Sequence, residues 1–239
     1  MLTILLIFSG FAGCQKSGTN CLTSAGSVIM EQRVVSDFDS IDVGDYVNLF
    51  LTQDSVNRVM VESGKNIIDG ITTENNDHLL VIRNTNTCNW LRSYNVPVNV
   101  HISVKNLRKI YYEASGNINS TNTITSGYFI VLVSNGCGTI DLDLNVQEGY
   151  FRLEQGTVDF KLRGHCSIST IYAGDFGFFD CKDLATGYSF VTNKGSNDCY
   201  VKAFQYMDAT IGNIGNIYYS GNPDTLITHL NGTGQVLPY

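Results

Sequence analysis

Positive charge, paired histidines and long apolar runs are all scarce in this chain of 239 residues. Its 15 lysines and arginines are outnumbered by 22 acids, and a formal net charge of −7 excludes the basic stripe of a nucleic-acid surface. The four histidines never stand two or four residues apart, which argues against a histidine metal site. No Gly-x-Ser-x-Gly elbow, phosphate loop or Cys-x-x-Cys pair occurs. We therefore predict no catalytic residue, no cofactor, no metal and no nucleic-acid partner.

Proline is also rare, with three residues, whereas glycine occurs 23 times and 43% of the chain is apolar. This composition suits short strands joined by tight turns around one core. A Gly-x-apolar figure, introduced by Ser115-Gly116-Asn117-Ile118, returns through the second half of the chain. Its apolar members, which we take as the anchors of successive coils, are Ile118, Ile140, Val158, Phe179, Cys199 and Ile217.

The anchors recur every 18 to 22 residues, and such a fixed period indicates stacked repeats. Apolar and polar residues alternate after each anchor, as in residues 140–144, and a second strand-like run such as 128–133 follows about ten residues later. We predict an all-β fold, a right-handed β-helix or β-solenoid with coils of about 20 residues. A strand-rich N-terminal region continuous with the coils precedes it. We expect the recurring glycine because the corner needs a positive φ.

The N-terminus carries the features of an export signal. Residues 2–11 are apolar but too few to span a bilayer, and Phe11-Ala12-Gly13-Cys14 resembles a bacterial lipobox. We predict a lipoprotein signal peptide over residues 1–13, lipidation of Cys14 and a tether over 14–27. An ordinary secretory signal is the alternative, and because no Lys or Arg precedes the apolar run, a start codon upstream of Met1 stays open. Residues 28–239 are predicted to form a single β-solenoid domain, strand-rich over 28–110 and coiled over 111–239.

Six cysteines remain if Cys14 is lipidated. Cys181 and Cys199 occupy inward positions of the repeat, where we expect buried thiols. A bridge between Cys21 and Cys88 is also open, because an exported protein can form disulfides.

The order and spacing of residues along the chain resemble the putative auto-transporter adhesin, head-GIN domain family. Matching positions open the chain at Glu31, Arg33, Val35, Phe38, Ile41, Val43, Val47, Leu49 and Gln53, and continue at Val61, Glu62, Asn66, Ile71, Thr73, Val98, Val100, Asn106, Leu107 and Ile110. The closing figure is Gly215-Asn216-Ile217-Tyr218-Tyr219, then Gly221, Pro223 and Gly232-Thr233-Gly234. The resemblance covers residues 31–236 and implies a β-helical solenoid exported by Bacteroidetes-type bacteria, commonly as a lipoprotein. It implies no catalytic residue.

Alignment on the anchors places two polar columns on the outside of the coils. One column holds Asn119, Asp141, Asp159, Asp180, Tyr200 and Tyr218, and the other holds Thr121, Asp143, Lys161, Lys182, Lys202 and Ser220. Three neighbouring carboxylates are compatible with a calcium site or with polysaccharide cleavage. The other interpretation, which we favour, is that the lysines neutralise the acids.

Aromatic side chains are the candidate ligand-binding residues. Tyr200, Tyr218 and Tyr219 are expected to point outward near the C-terminal coils, and Trp90 lies in a loop. Flat rings with a polar tip suit contact with a sugar or a protein, but a cross-strand ladder that only stabilises the sheet is the alternative. Trp90 is either a ligand anchor or a plug over one end of the solenoid.

The sequence favours a non-catalytic exported lipoprotein, an adhesin-like binding module for a glycan or a protein surface. We expect it in the bacterial cell envelope, attached to a membrane only through its lipid, with the outer membrane favoured and the leaflet undetermined. The alternative function is a β-helical polysaccharide lyase or hydrolase that uses the column of Asp141, Asp159 and Asp180.

Overall fold

A computed structural model describes residues 24–87 and 96–239. The predicted signal peptide, Cys14, Cys21, Cys88 and Trp90 lie outside the described residues. The regular structure of the described chain is β-strand throughout, apart from one 3₁₀ helix at Ile68–Gly70. The strands are β1 (Val28–Arg33), β2 (Ser40–Asp45), β3 (Asn48–Gln53), β4 (Arg58–Gly64), β5 (Ile71–Asn76), β6 (Leu79–Asn84), β7 (Asn99–Val104), β8 (Lys109–Ala114), β9 (Ile118–Ser120), β10 (Ile124–Leu153), β11 (Thr157–Ala173), β12 (Phe179–Asn193), β13 (Cys199–Ile211), β14 (Ile217–Ser220), β15 (Thr225–Leu230) and β16 (Val236–Pro238).

The chain winds as a β-solenoid of about six turns, with coils about 20 residues apart, as predicted. Each of these turns contributes one rung to each of two stacks, and strands of the N-terminal region extend both stacks. The first stack runs β1, β4, β7, β3, β9, then residues 137–146, 157–166, 179–186 and 199–203, then β14 and β16. The second runs β5, β6, β2, β8, then residues 130–136, 148–153, 168–173, 188–193 and 206–211, then β15. The coils pair in parallel. Because connections between parallel strands of one sheet are almost always right-handed, this pairing favours right-handed winding.

Alternating side chains fill the space between the two stacks. In most rungs every second residue is buried, as in Ile140, Leu142 and Leu144 of the first stack. Inward residues of neighbouring rungs contact along the axis, and the rings of Phe160 and Phe179 stack with centroids 4.4 Å apart. This apolar column stabilises the stacking of the coils, because each rung buries its inner face against neighbouring rungs as well as against the opposite stack.

The register of one coil differs from the prediction. Ile140 lies between Ile118 and Phe160, whereas Val158 pairs with Gly138. The observed anchor file is Ile118, Ile140, Phe160, Phe179, Cys199 and Ile217. The choice of Val158 was wrong because Gly156 corresponds to Gly136, not to Gly138: a Cβ at Gly156 would lie 2.2 Å from the Gly136 carbonyl oxygen.

The recurring glycine is explained by the close approach of neighbouring coils more than by a need for a positive φ. Gly138 has a positive φ of 117°, but Gly177 at the same corner does not. A Cβ at Gly177 would stand 2.1 Å from the Val158 carbonyl oxygen of the preceding coil. The expectation of a positive φ at every such corner is therefore wrong, and contact between backbones is the shared requirement.

The N-terminal strands are continuous with the coils, as predicted. β3 pairs in parallel with β9, and β2 pairs in parallel with β8. Antiparallel pairs lie at the N-terminal end of each stack, β1 with β4 in the first and β5 with β6 in the second. At the other end, β15 pairs only with β13 among the described strands, and all six of its residues are exposed.

Candidate functional site

The predicted column of three carboxylates is not assembled. Because the register is shifted by two residues, Lys161 and not Asp159 lies beside Asp141 and Asp180. Asp159 instead pairs with Thr139. The alternating order Asp141, Lys161, Asp180 places a cation between two acids, which is the opposite of a convergent acid pair.

Cations neutralise the outward acids, as we expected, although the partners differ from the prediction. Arg163 donates to Asp141, and its Nε lies 3.6 Å from Asp143 Oδ2. Lys182 Nζ lies 3.7 Å from Asp180 Oδ1. These side chains are partly exposed, so each pair contributes about 0–1 kcal/mol to stability.

Asp159 has a structural contact that the sequence analysis missed. Its Oδ1 accepts a hydrogen bond from the Phe178 backbone amide of the next coil (3.0 Å). The residues at the equivalent position in other coils do the same: Asn117 accepts from Thr139, and Asn216 accepts from Gln235, both at 2.9 Å. This Asx ladder, defined by Asn117, Asp159, Asp198 and Asn216, ties four of the corners to the following coil.

Tyr200 and Tyr218 lie outward in one file and stack with ring centroids 4.8 Å apart at 12°. Tyr239 meets Tyr200 edge-on at 5.5 Å, and Lys182 Nζ lies 4.0 Å from the centre of the same ring. The stabilising ladder that we held as the alternative therefore exists, and it occupies ring faces that a ligand would need. Their assignment as ligand-binding residues stays a prediction.

Tyr219 does not belong to that outward file. Tyr219 is two residues after buried Ile217, so it lies on the same inward face of the strand and packs against the core. The expectation that it points outward is wrong, because Tyr218 occupies the intervening outward position.

The thiols of Cys181 and Cys199 are buried, as predicted, and both cysteines are free. Burial raises the pKa of each thiol well above its ordinary value. Burial likewise raises the pKa of Cys166 to about 12. Such thiols are inert to oxidants and to metals in their folded setting.

The second stack carries a partly exposed apolar strip, which we call the aromatic strip, made of Ile168, Tyr188, Phe190 and the half-buried Tyr206. Ile168, Tyr188 and Tyr206 are direct neighbours on successive rungs. Tyr188 is 45% exposed and Phe190 is 39% exposed. The Tyr206 ring lies 6.3 Å from that of Tyr188 and 5.6 Å from that of Phe190, tilted against both, so that no ring face is fully covered by another ring. Grouped exposed apolar side chains of this kind mark binding surfaces.

The sequence analysis did not select this strip as a candidate site. The alternation Tyr188-x-Phe190 and the match of Tyr188 with Tyr206 in the following coil were the available signals. They could be combined only once the second stack had its register.

A polar groove follows the corner that leads into the second stack. Two concavities of about 680 and 410 Å³ share four of their lining residues and form one continuous surface. We define this corner groove by Asn106, Ser126, Gly127, Gln147, His165 and Ser167. Within residues 24–87 and 96–239, the amides of Asn106 and Gln147 have no hydrogen-bond partner. Polar donors and acceptors are thus presented to solvent along several coils.

The aromatic strip and the corner groove are adjacent. The Glu154 amide donates to the Val133 carbonyl (2.9 Å), which places residues 128–133 beside 148–153. Tyr128, Glu148, Ile168, Tyr188 and Tyr206 consequently form one file along the solenoid axis. Tyr128 lines the groove and is 43% exposed.

A third concavity, of about 380 Å³, lies on the second stack and is lined by two ion pairs and by Glu113. Arg83 Nη2 donates to Asp42 Oδ2 at 2.8 Å, and this hydrogen bond raises the pKa of Arg83. Arg152 donates to Glu154 and to the Tyr150 hydroxyl, which raises its pKa. Four of the charged side chains that line this concavity are thus paired with one another, which favours a structural role.

In the part of the chain that the structure describes, no three His, Cys, Asp or Glu side chains are grouped to hold a metal ion. Over the same residues, no helix has the length and apolar character needed to cross a membrane.

The sequence profile of the family described as putative auto-transporter adhesin, head GIN domain, matches residues 37–223. A search of curated proteins gave no match.

Solved structures share the fold. A putative adhesin from Bacteroides fragilis NCTC 9343 superposes with a TM-score of 0.81 at 21% identity, over 91% of this chain and 100% of that one. A putative lipid binding protein from Parabacteroides distasonis ATCC 8503 gives 0.70 at 17% identity, over 90% and 97% of the two chains. A putative adhesin from the same organism gives 0.62 at 18% identity, over 90% and 99%. At such low sequence identities the similarity shows a shared fold alone.

Proposed function

Because the chain belongs to the putative auto-transporter adhesin, head GIN domain family, we propose that it is a non-catalytic, adhesin-like module of the bacterial cell envelope. It holds an external ligand, a glycan or a protein surface, on the side of the solenoid. The predicted lipid on Cys14 attaches it to a membrane, and residues 14–27 serve as its tether.

The observation that carries this proposal is the aromatic strip. Tyr188 and Phe190 expose large rings on the outer face of the second stack. Tyr206, from the next coil, contacts both rings. Holding apolar rings in water costs free energy, so a grouped set on a rigid sheet favours a surface kept for binding.

The alternative, a polysaccharide lyase or hydrolase, loses the residues that we assigned to it. Asp159 caps a backbone amide, and Lys161 separates Asp141 from Asp180. Acid and base roles in glycoside cleavage need carboxyl groups facing one another across a substrate. The register therefore favours binding without turnover.

The proposal is tested by probing the full chain on a glycan array and on an array of immobilised extracellular proteins, beside an assay for reducing-sugar release. We expect binding that falls about three- to tenfold in Tyr188→Ala and Tyr206→Ala, a loss that corresponds to one aromatic contact. Tyr46→Ala is the matched control, because Tyr46 is also 45% exposed but lies away from the strip. Sugar release, or binding that is unaltered in both strip variants, would contradict the proposal.

The anchor is tested separately by metabolic labelling with a palmitate analogue in a Bacteroidetes host. We expect label on the unmodified protein and none on Cys14→Ser, with the variant recovered in the soluble fraction. Equal labelling of Cys14→Ser would place the lipid elsewhere.

A further inference from the structure

The corner groove has the chemistry of a saccharide site. The amides of Asn106 and Gln147 each offer donors and an acceptor, and the hydroxyls of Ser126 and Ser167 can do both. Ser126 Oγ donates to the Tyr128 carbonyl, and Ser167 Oγ lies 3.3 Å from His165 Nε2, so both hydroxyls are held in place. Sugar hydroxyls, which donate and accept in the same way, are the complement of such a lining.

Charge in the groove is balanced. At its wide end Lys105 Nζ lies 3.3 Å from Asp37, and Arg108 Nη1 lies 3.9 Å from Asp39. Glu148, on the neighbouring file, has no ion-pair partner within the described ranges and adds negative charge beside the groove. The ion-paired residues at the wide end therefore offer no free counter-charge to a polyanion or to a polycation, and Glu148 disfavours a polyanion.

The groove is long in the direction of the axis. Its lining comes from four successive corners, at Asn106, Ser126, Gln147 and Ser167. With rungs about 4.8 Å apart, these corners span roughly 14 Å. The groove is open along this length, which suits an extended chain better than a single small molecule.

An aromatic ring lies where a sugar ring would stack. Tyr128 borders the groove with 43% of its surface exposed, and no ring or cation contact covers it within the described residues. Tyr188 and Tyr206 continue the same file beyond Ser167. A ligand in the groove thus meets the Tyr128 ring on one side and amides and hydroxyls on the other.

From these contacts we propose that the corner groove binds an extended neutral polysaccharide, with Tyr128 as its stacking platform and Asn106 and Gln147 as its hydrogen-bonding residues. The inference rests on the proposed binding function and names the class of its ligand.

The test is native affinity electrophoresis of the full chain in detergent, through gels that contain dextran, amylopectin or galactomannan. Each polysaccharide is also used in its carboxymethylated form, which differs from it in charge. We expect retardation by at least one neutral polymer and weaker retardation by its carboxymethylated form. Retardation by none of the neutral polymers, or stronger retardation by a charged form, would overturn the inference.

Variants locate the binding. Tyr128→Ala and Gln147→Ala are expected to weaken the retardation about three- to tenfold, whereas Tyr128→Phe keeps the ring and its stacking. Tyr46→Ala, at 45% exposure, is the matched control. Retardation that persists unchanged in Tyr128→Ala and Gln147→Ala would show that the polysaccharide binds elsewhere and would overturn the site.

The two proposals fail differently. If the strip variants Tyr188→Ala and Tyr206→Ala lose binding to an immobilised protein while no neutral polysaccharide retards the chain, the ligand class is wrong and the binding function stands. If neither polysaccharides nor arrayed glycans and proteins are bound, both proposals are wrong.

Discussion

At the scale of single residues, Asp159 shows how a side chain suggestive of chemistry can be structural. Its carboxylate accepts the Phe178 amide at 3.0 Å, at a corner where Asn117 and Asn216 serve the same purpose in other coils. Side-chain acceptors satisfy backbone amides that a turn would otherwise leave unpaired. The ladder thus explains an acid on the surface without any reaction.

Removal of this acceptor should destabilise the fold. We expect Asp159→Ala to lower the free energy of unfolding by about 1 kcal/mol, since the Phe178 amide loses its partner. Asp159→Asn keeps an acceptor of the kind that Asn117 supplies and should cost much less. Urea denaturation measures both. Equal losses in the two variants would show that the charge, not the hydrogen bond, matters.

The cysteines provide a second residue-scale prediction. Iodoacetamide at pH 8 should alkylate exposed Cys137 and leave Cys166, Cys181 and Cys199 unmodified until the protein is unfolded. Burial both blocks access and raises the pKa of Cys166 to about 12, so thiolate is scarce. Peptide mass spectrometry with and without urea reads out each site. Rapid labelling of Cys199 in the native protein would mean that the core is not packed as described.

At the scale of strands, β4 and β7 contain a charged contact that makes stability depend on pH. Asn99 Nδ2 donates to Glu62 Oε2 at 2.8 Å, and His101 Nε2 lies 3.2 Å from the same oxygen. These hydrogen bonds lower the pKa of Glu62 from its ordinary 4.5. A carboxyl whose pKa is lower in the folded state stabilises the fold above its unfolded pKa.

We therefore expect the stabilisation from Glu62 to be complete above about pH 5 and to disappear as the pH falls through its folded pKa. Urea denaturation between about pH 6 and pH 3 should show a steeper loss for the unmodified chain than for Glu62→Gln. Glu148→Gln, at an acid with no ion-pair partner in the described ranges, is the control. The same pH slope in all three proteins would contradict the assignment.

Strand pairing also explains which parts of the architecture could be predicted. The anchors Ile118, Ile140, Phe179, Cys199 and Ile217 were identifiable because a glycine or an asparagine two positions earlier marked each one. The coil of Phe160 has Val158 in that position. The sequence analysis therefore aligned this coil on the nearest glycine, Gly156, and placed its anchor two residues too early. A repeat signal that depends on one residue type fails where that residue is replaced.

The candidate site was less predictable than the fold. Tyr200 and Tyr218 shared one sequence column, and the structure stacks them on each other. The strip and the corner groove draw on residues separated by whole coils, such as Asn106 and Ser167. Within the strip, the pairing of Tyr188 with Tyr206 follows a β-bulge between Thr186 and Tyr188, which changes the register of the two strands locally. No single stretch of sequence contains that information.

At the scale of the whole molecule, the outer faces of the two stacks carry different chemistry. The first stack presents alternating charges and a closed tyrosine ladder at Tyr200 and Tyr218. The second presents the aromatic strip beside the polar corner groove. This division follows from the register of the coils, so every functional inference depends on it.

That register is tested directly by engineered disulfides in a Cys137→Ser background. Asp141 and Lys161 lie directly opposite one another on neighbouring rungs, about 4.8 Å apart, within the reach of a disulfide. Asp141 and Asp159 are displaced by a further two residues, to roughly 8 Å, which is too far. Under mild oxidation we expect mass spectrometry to find a bridge in Asp141→Cys with Lys161→Cys and none in Asp141→Cys with Asp159→Cys. A bridge in the second pair but not in the first would restore the column of carboxylates and contradict the account of this surface.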